Sequence, residues 1–201
     1  MNKKLLIVTH NKGKFPEIIS ELKGVAFDFL NLNDIPSLPP KYEVEEPAMT
    51  FEGNAIIKAV ILGKKTGLIT LADDSGLEVD ALNGKPGIYS AHYAPGTDED
   101  RYRKLLGELK NVPDDGLGAQ FHCVVAIYDP ATDKIRTCEG VYRGRLIRAP
   151  RGTNGFGYDP IFFNEQLNKT NAEMTVDEKN SVSHRGMALR KAREILEKEF
   201  S

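Results

Sequence analysis

The chain has 201 residues, of which 40% are apolar and 28% charged, a balance that supports one sizeable core and excludes disorder and collagen-like repeats. With 27 basic against 29 acidic side chains the net charge is -2, so the overall field gives no basis for nucleic-acid binding and any basic site must be local. The longest aliphatic runs, residues 5–8 and 124–127, are too short to span a bilayer, and the N-terminus lacks the apolar stretch of a signal peptide. A cytoplasmic protein without a membrane partner is expected. The two cysteines, Cys123 and Cys138, each sit in an apolar strand-like stretch and suggest buried thiols, not a zinc knuckle or disulfide framework.

Residues 3–9 read as a strand buried on both faces, because Leu5, Leu6, Ile7 and Val8 run without a polar interruption. After the turn His10-Asn11-Lys12-Gly13, apolar residues Phe15, Ile18, Ile19 and Leu22 recur at helical spacing, which makes strand, loop and helix the opening of an α/β unit. A second strand is expected at 25–30. Pro36, Pro39, Pro40 and Pro47 then argue for an extended connection over 31–49. Thr50 can cap a helix with Phe51, Ala55, Ala59 and Leu62 on its apolar face; Gly53 stands where a full capping box wants Glu or Gln, so the cap is half formed.

One strand is expected at 68–72, ending at Asp73-Asp74, and another at 77–82 beyond a sharp turn at Gly76. An amphipathic helix follows at 98–110, with acids in its first turn. Residues 119–128 and 135–147 read as an antiparallel pair. After the Gly- and Arg-rich stretch 148–159, the capping box Thr175-Val176-Asp177-Glu178 announces a helical C-terminal region, whose last helix has Leu189, Ala192, Leu196 and Phe200 on one face. No composition shift marks a linker, so 1–201 reads as a single mixed α/β or α+β domain.

Several short stretches carry chemistry. Asp73, Asp74 and Ser75 lie at the carboxyl end of an apolar strand, where open α/β sheets bind ligands. Adjacent strand residues face opposite ways, so one aspartate would face a site while the other ties down the loop; an ordinary Asx turn is the competing reading. Glu45-Glu46 supplies hard oxygen donors suited to Mg²⁺, or a merely solvated pair. Thr9, His10, Asn11, Lys12, Gly13 and Lys14 place polar groups and N–H donors at a helix start, an anion-binding arrangement that is not a P-loop, since Val8 and Phe15 break that pattern. Lys58, Lys179 and Arg185 are further phosphate-binding candidates.

In the glycine-rich run ending Phe156-Gly157-Tyr158-Asp159, Phe156 offers a stacking face and Asp159 an acceptor, with a structural glycine hairpin as the alternative. His184 and Arg185 bring ring nitrogens and a guanidinium to the start of the last helix, with a surface residue or cap as the competing reading of the histidine.

Together the segments THNKGK, EE before TFEGNAIIKA, LADDSGLEVDALNGKPGIYSAHYA, FHC, GTNGFGYDPIFF and EKNSVSHRGMALRKA resemble the inosine/xanthosine triphosphate pyrophosphatase family, in order from Thr9 to about Ala192. The resemblance implies an elongated mixed β-sheet flanked by helices, two lobes with a central active-site cleft, a homodimer, and Mg²⁺-dependent hydrolysis of deaminated purine nucleoside triphosphates to monophosphate and pyrophosphate. It implies that residues 9–14 bind triphosphate, that Glu45 and Asp74 hold Mg²⁺, and that Asp74 accepts the proton of the attacking water. Asp73, Glu46 and Lys58 would support that site; Ser75, Phe156, Gly157, Tyr158, Asp159, Lys179, His184 and Arg185 would bind the nucleotide. Pro47-Ala48 and Gly53 depart from the family pattern and leave open which of Glu45 and Glu46 meets the metal. Two other readings are a pyrophosphatase of modified pyrimidine nucleotides, against which the GFGYDP and SHRG blocks speak, and a silent nucleotide-binding module, against which Glu45, Asp73 and Asp74 speak.

Overall fold

The computed structural model describes residues 3–39 and 42–200; Pro40, counted above in the extended connection, lies outside them. Among the described residues seven strands, β1 (Lys3–Val8), β2 (Phe27–Leu30), β3 (Ile69–Val79), β4 (Gly118–Asp129), β5 (Lys134–Leu146), β6 (Phe162–Asn164) and β7 (Lys169–Thr170), form one mixed sheet in the order β2-β1-β3-β4-β5-β6-β7. The chain divides into two compact units: one comprises Met1–Asp74, Cys123–Gly140 and Arg185–Ser201, the other Ser75–His122 and Val141–His184.

In the first unit, β1 (Lys3–Val8) leads into α1 (Lys14–Glu21) and β2 (Phe27–Leu30). β1 pairs in parallel with both β2 and β3, and Val8 stands opposite Ala72. This register sets the loop after β1 beside the middle of β3, next to the residue that follows Ala72. The connection after β2 holds one short 3₁₀ turn, Leu32–Asp34, capped by Asn31. α2 (Phe51–Thr66) starts at Thr50, whose hydroxyl accepts from the Gly53 amide; no side chain at Gly53 can return the bond, so the box remains half closed. It ends at Gly67 in the left-handed conformation (φ 70°). α5 (His184–Ile195) runs on into a π-helical turn, Leu196–Phe200. Leu189, Ala192, Leu196 and Phe200 pack with Leu5, Ile7, Ile18 and Leu71 in this unit's core, where Cys123 is also buried.

In the second unit, α3 (Asp98–Glu108) packs Tyr102 and Leu105 against Leu77, Val79, Phe121 and Phe162. Its start is a complete capping box between Thr97 and Asp100. β5 (Lys134–Leu146) pairs antiparallel with β6 (Phe162–Asn164), which pairs antiparallel with β7 (Lys169–Thr170). α4 (Val176–Val182) begins at the Thr175/Glu178 capping box that the sequence announced.

The expectation of two strands separated by a turn at Gly76 is corrected. β3 is one strand, Ile69–Val79, and a 3₁₀ turn (Asp80–Leu82) follows it. Gly76 is therefore no turn residue; it is needed for space, since a Cβ there would overlap the Gly87 carbonyl oxygen and stand 2.7 Å from Ser90 Oγ. Ser90 Oγ in turn donates to the Gly87 carbonyl and accepts from the Leu77 amide at 2.9 Å. Gly76→Ala should consequently lower unfolding stability by about 1–3 kcal/mol, the usual cost of overpacking, read as a shifted urea midpoint at unchanged slope. An unshifted midpoint would contradict this packing.

Candidate active site

Strand alternation sends Asp73 and Asp74 to opposite faces of β3, and their neighbours in the first unit differ accordingly. The Asp73 side chain is 1% exposed. It meets Lys14 Nζ at 2.9 Å and Arg185 Nε at 3.3 Å, and Arg185 Nη1 donates to Glu17 at 2.5 Å. Burial by itself would raise the Asp73 carboxyl, but the charges of Lys14, Arg185 and Lys58 override it and hold the group well below the usual carboxylate range. Cys123 Sγ approaches Asp73 at 3.9 Å, and burial together with that carboxylate pushes the thiol far up.

Asp74 has a different setting. Asn54 Nδ2 donates to Asp74 Oδ2 at 3.2 Å, while Lys58 Nζ lies 3.6 Å from Oδ1 and 2.7 Å from Glu46. Burial raises this carboxyl, and Lys58 and Lys14 offset the effect only in part. Asn54 and Lys58 are four residues apart, hence on one face of α2. Asn54 Oδ1 also accepts from the Ala48 amide at 2.9 Å, which ties the strand carboxylate to the segment bearing the exposed Glu45 and Glu46.

The loop after β1 is built around Asn11. Its Oδ1 accepts from the amides of Gly13 (2.8 Å) and Lys14 (3.2 Å), and its own amide donates to Thr9 Oγ1 at 3.1 Å. His10 Nε2 donates to the Tyr42 carbonyl at 2.7 Å, and Lys12 is exposed. This first-unit cluster thus gathers residues 9–14, Asp73, Asp74, Lys58, Glu46 and Arg185.

A second cluster lies in the other unit. Asp159 Oδ2 accepts from Lys179 Nζ (2.6 Å) and from the Phe156 amide (2.8 Å), and Asn171 Nδ2 donates to Oδ1 at 3.2 Å. Lys179 Nζ stands 4.7 Å from the Phe156 ring centroid, an ammonium over an aromatic face. Gly155 (φ 75°) and Gly157 (φ 63°) adopt the left-handed conformation that lets the chain double back here, and a Cβ on Gly155 would overlap the Asp159 carboxylate. Tyr158 OH donates to the Ser90 carbonyl at 2.9 Å. His184 is buried and stacked on Phe121, centroids 4.7 Å apart at 11°. Ser75 is half-buried.

Arg185, read from sequence as a donor to a purine base, is 2% exposed and lies between Glu17 and Asp73. Glu17 and Asn54 had no place in the sequence reading. The available signals were spacing: Glu17 is one turn from Lys14, and Asn54 one turn from Lys58. Replacing Arg185 by Met should leave two buried carboxylates short of a cation and cost about 3–5 kcal/mol at neutral pH. Asp73, depressed in the folded state, contributes stability above its unfolded pKa that is lost as the pH falls through its folded value. The gap between wild type and Arg185→Met in denaturant titrations should therefore narrow below about pH 4. A gap independent of pH would show that the guanidinium matters for packing alone.

The Ham1 family model matches residues 5–195. A dITP/XTP pyrophosphatase of Geobacter sulfurreducens is 48% identical over 188 residues, covering 92% of this chain and 92% of its own. One from Shigella flexneri is 46% identical over 190 residues, with coverage of 93% and 94%. Among solved structures, a Ham1 protein from Coxiella burnetii superposes with a TM-score of 0.86 at 40% identity, covering 96% of this chain and 98% of that one. The Staphylococcus aureus Ham1 protein gives 0.85 at 38% identity, with coverage of 98% and 100%. Sequence likeness at this level over nearly the full length of both partners, on a shared fold, places the chain in the Ham1 family.

Proposed function

We propose that this chain hydrolyses deaminated purine nucleoside triphosphates, ITP, dITP and XTP, to the nucleoside monophosphate and pyrophosphate, keeping them out of DNA and RNA. The observation that carries the reading is the pair of adjacent buried carboxylates inside β3, each with its own lysine, beside the Asn11 loop that follows β1. Family membership, with relatives named dITP/XTP pyrophosphatases, supports the substrate class. The whole chain, 1–201, is taken as one catalytic domain, working as a homodimer in the cytoplasm. Among the described residues no helix is long and apolar enough to cross a membrane.

The donor set fits Mg²⁺. Asp74 is a hard oxygen donor whose burial leaves its charge incompletely compensated, and Asn54 links it to the segment of Glu45 and Glu46. Among the described residues no three His, Cys, Asp or Glu side chains form a ready cage, and Mg²⁺ commonly uses one or two carboxylates with water and substrate phosphate. Glu45 and Asp74 would hold it, with Glu46 beside them. Bound there, the ion would neutralise phosphate charge and acidify coordinated water.

The protein's own groups do the rest. Residues 9–14, with the ammonium groups of Lys12 and Lys14, bind phosphate oxygens. Asp74 takes the proton of a water whose oxygen forms a bond to the α-phosphorus as the bond to the bridging oxygen of pyrophosphate breaks. Arg185 enters through Asp73, which it and Lys14 hold ionised, rather than as a donor to the base. For the base, Phe156 supplies a stacking face, and Lys179 and His184 supply donors that suit oxygen at C6 and mismatch the adenine amino group. Ser75, Gly157, Tyr158 and Asp159 complete that set.

A panel of ITP, XTP, dITP, GTP, ATP and dUTP with products separated tests the reading. ITP and XTP should be turned over well above GTP, GTP at or above ATP, and pyrophosphate should be the released product. Orthophosphate release, or a preference for dUTP, would overturn it. Asp74→Asn should lower kcat by about 10² or more while the fold, monitored by circular dichroism, stays intact. A variant that keeps more than about a tenth of wild-type activity at saturating Mg²⁺ would move the base elsewhere.

A further inference from the structure

The turn Gly155-Phe156-Gly157 is held from outside by a residue that no role above includes. Asp98 opens α3, and its Oδ2 accepts from the Gly157 amide at 2.6 Å across 59 positions of sequence. Its other oxygen is bound by Arg101 Nη2, and Arg101 Nη1 donates to the Gly96 carbonyl at 3.2 Å, so the carboxylate itself is fixed. The start of α3 does not need Asp98 for capping, since Thr97 and Asp100 already form the box. The turn needs an external clamp for a physical reason. Its glycines sit at positive φ, and glycine-rich backbone has many conformations to lose. Asp159 fixes the Phe156 amide and Tyr158 is anchored at Ser90, while the peptide between Phe156 and Gly157, whose orientation sets the ring, is held at its carbonyl by the Asp159 amide (3.2 Å) and at its N–H by Asp98.

We propose that Asp98 is a positioning residue for base recognition: by holding the Gly157 amide, with Arg101 fixing its carboxylate, it sets Phe156 over Lys179 in the orientation a purine stacks on. This rests on the reading of Phe156 and Lys179 as base-binding groups. Binding is then preorganised, and loss of the clamp reappears as weaker substrate binding.

The test is steady-state kinetics on ITP for Asp98→Ala, Asp98→Asn and Phe156→Ala, with amide hydrogen exchange over residues 152–160 of the substrate-free protein. Asp98→Ala should raise KM about tenfold, as expected for a lost charge-assisted hydrogen bond, and leave kcat within about twofold. Asp98→Asn keeps an oxygen acceptor and should bring KM back to within about threefold of wild type. Exchange should rise at Gly157 in the alanine variant and not in the core of α3. A residue that merely supported α3 would lower melting temperature and active fraction with KM unchanged, and that outcome overturns the inference, as does an asparagine variant no better than alanine. If Phe156→Ala raises KM and Asp98→Ala does not, the inference alone falls. Should Phe156→Ala leave KM unchanged, the base-site reading fails and takes the inference with it.

Discussion

The constraint on which the first unit depends is the charge of Asp73, carried on a strand interior where its side chain is 1% exposed. A buried carboxylate is tolerated only if cations and donors replace its water. Two distant parts of the chain meet that demand: α1 supplies Lys14 and α5 supplies Arg185, which brings Glu17 in as its own counter-ion. Placing these helices around β3 fixes the loop after β1, because Lys14 is both the first residue of α1 and the ammonium on Asp73. Strand periodicity then settles Asp74, which must emerge on the opposite face towards α2. One local rule and one desolvation penalty therefore generate two unlike carboxylates side by side, one locked in the ionised form and one raised.

The parts legible in the sequence were those with strong local signals. Four consecutive aliphatics specified β1, helical spacing specified α1 and α2, acids in the first turn of an amphipathic stretch marked α3, and a capping box marked α4. The half-formed cap at Thr50 followed from Gly53 having no side chain. Asp-Asp-Ser-Gly was misread because its composition is that of a turn: the residues that usually escape to solvent are here kept in a strand by partners far away in sequence. β6 and β7, three and two residues long, are too short to show any period.

The site residues divide the same way. Motifs in short stretches pointed to residues 9–14, Asp73, Asp74 and the Phe156 turn, but not to the side chains that orient them. Glu17, Asn54, Asn171 and Asp98 each act on a residue from another element. Beyond the helical spacing of Glu17 from Lys14 and of Asn54 from Lys58, such partners have no sequence signature, because the geometry joining them is created by folding. The same reason accounts for Arg185: a cation near a helix start looks available for a ligand until its neighbours reveal two carboxylates.

The ion pair between Glu17 and Arg185 spans 168 positions, and the first unit's core also needs Ala188, Leu189, Ala192, Leu196 and Phe200. A chain synthesised from its N-terminus usually folds its leading part first. Here that order is blocked, since residues 1–74 precede both their guanidinium and a wall of their core, which come only with residues 185–200. The second unit, by contrast, has all of its residues once His184 has been added. On the ribosome the nascent chain thus carries β1, β2 and α2 unfinished until α5 has been made, with aliphatic strand surface open to chaperones, and the acid pair of β3 becomes a site only then.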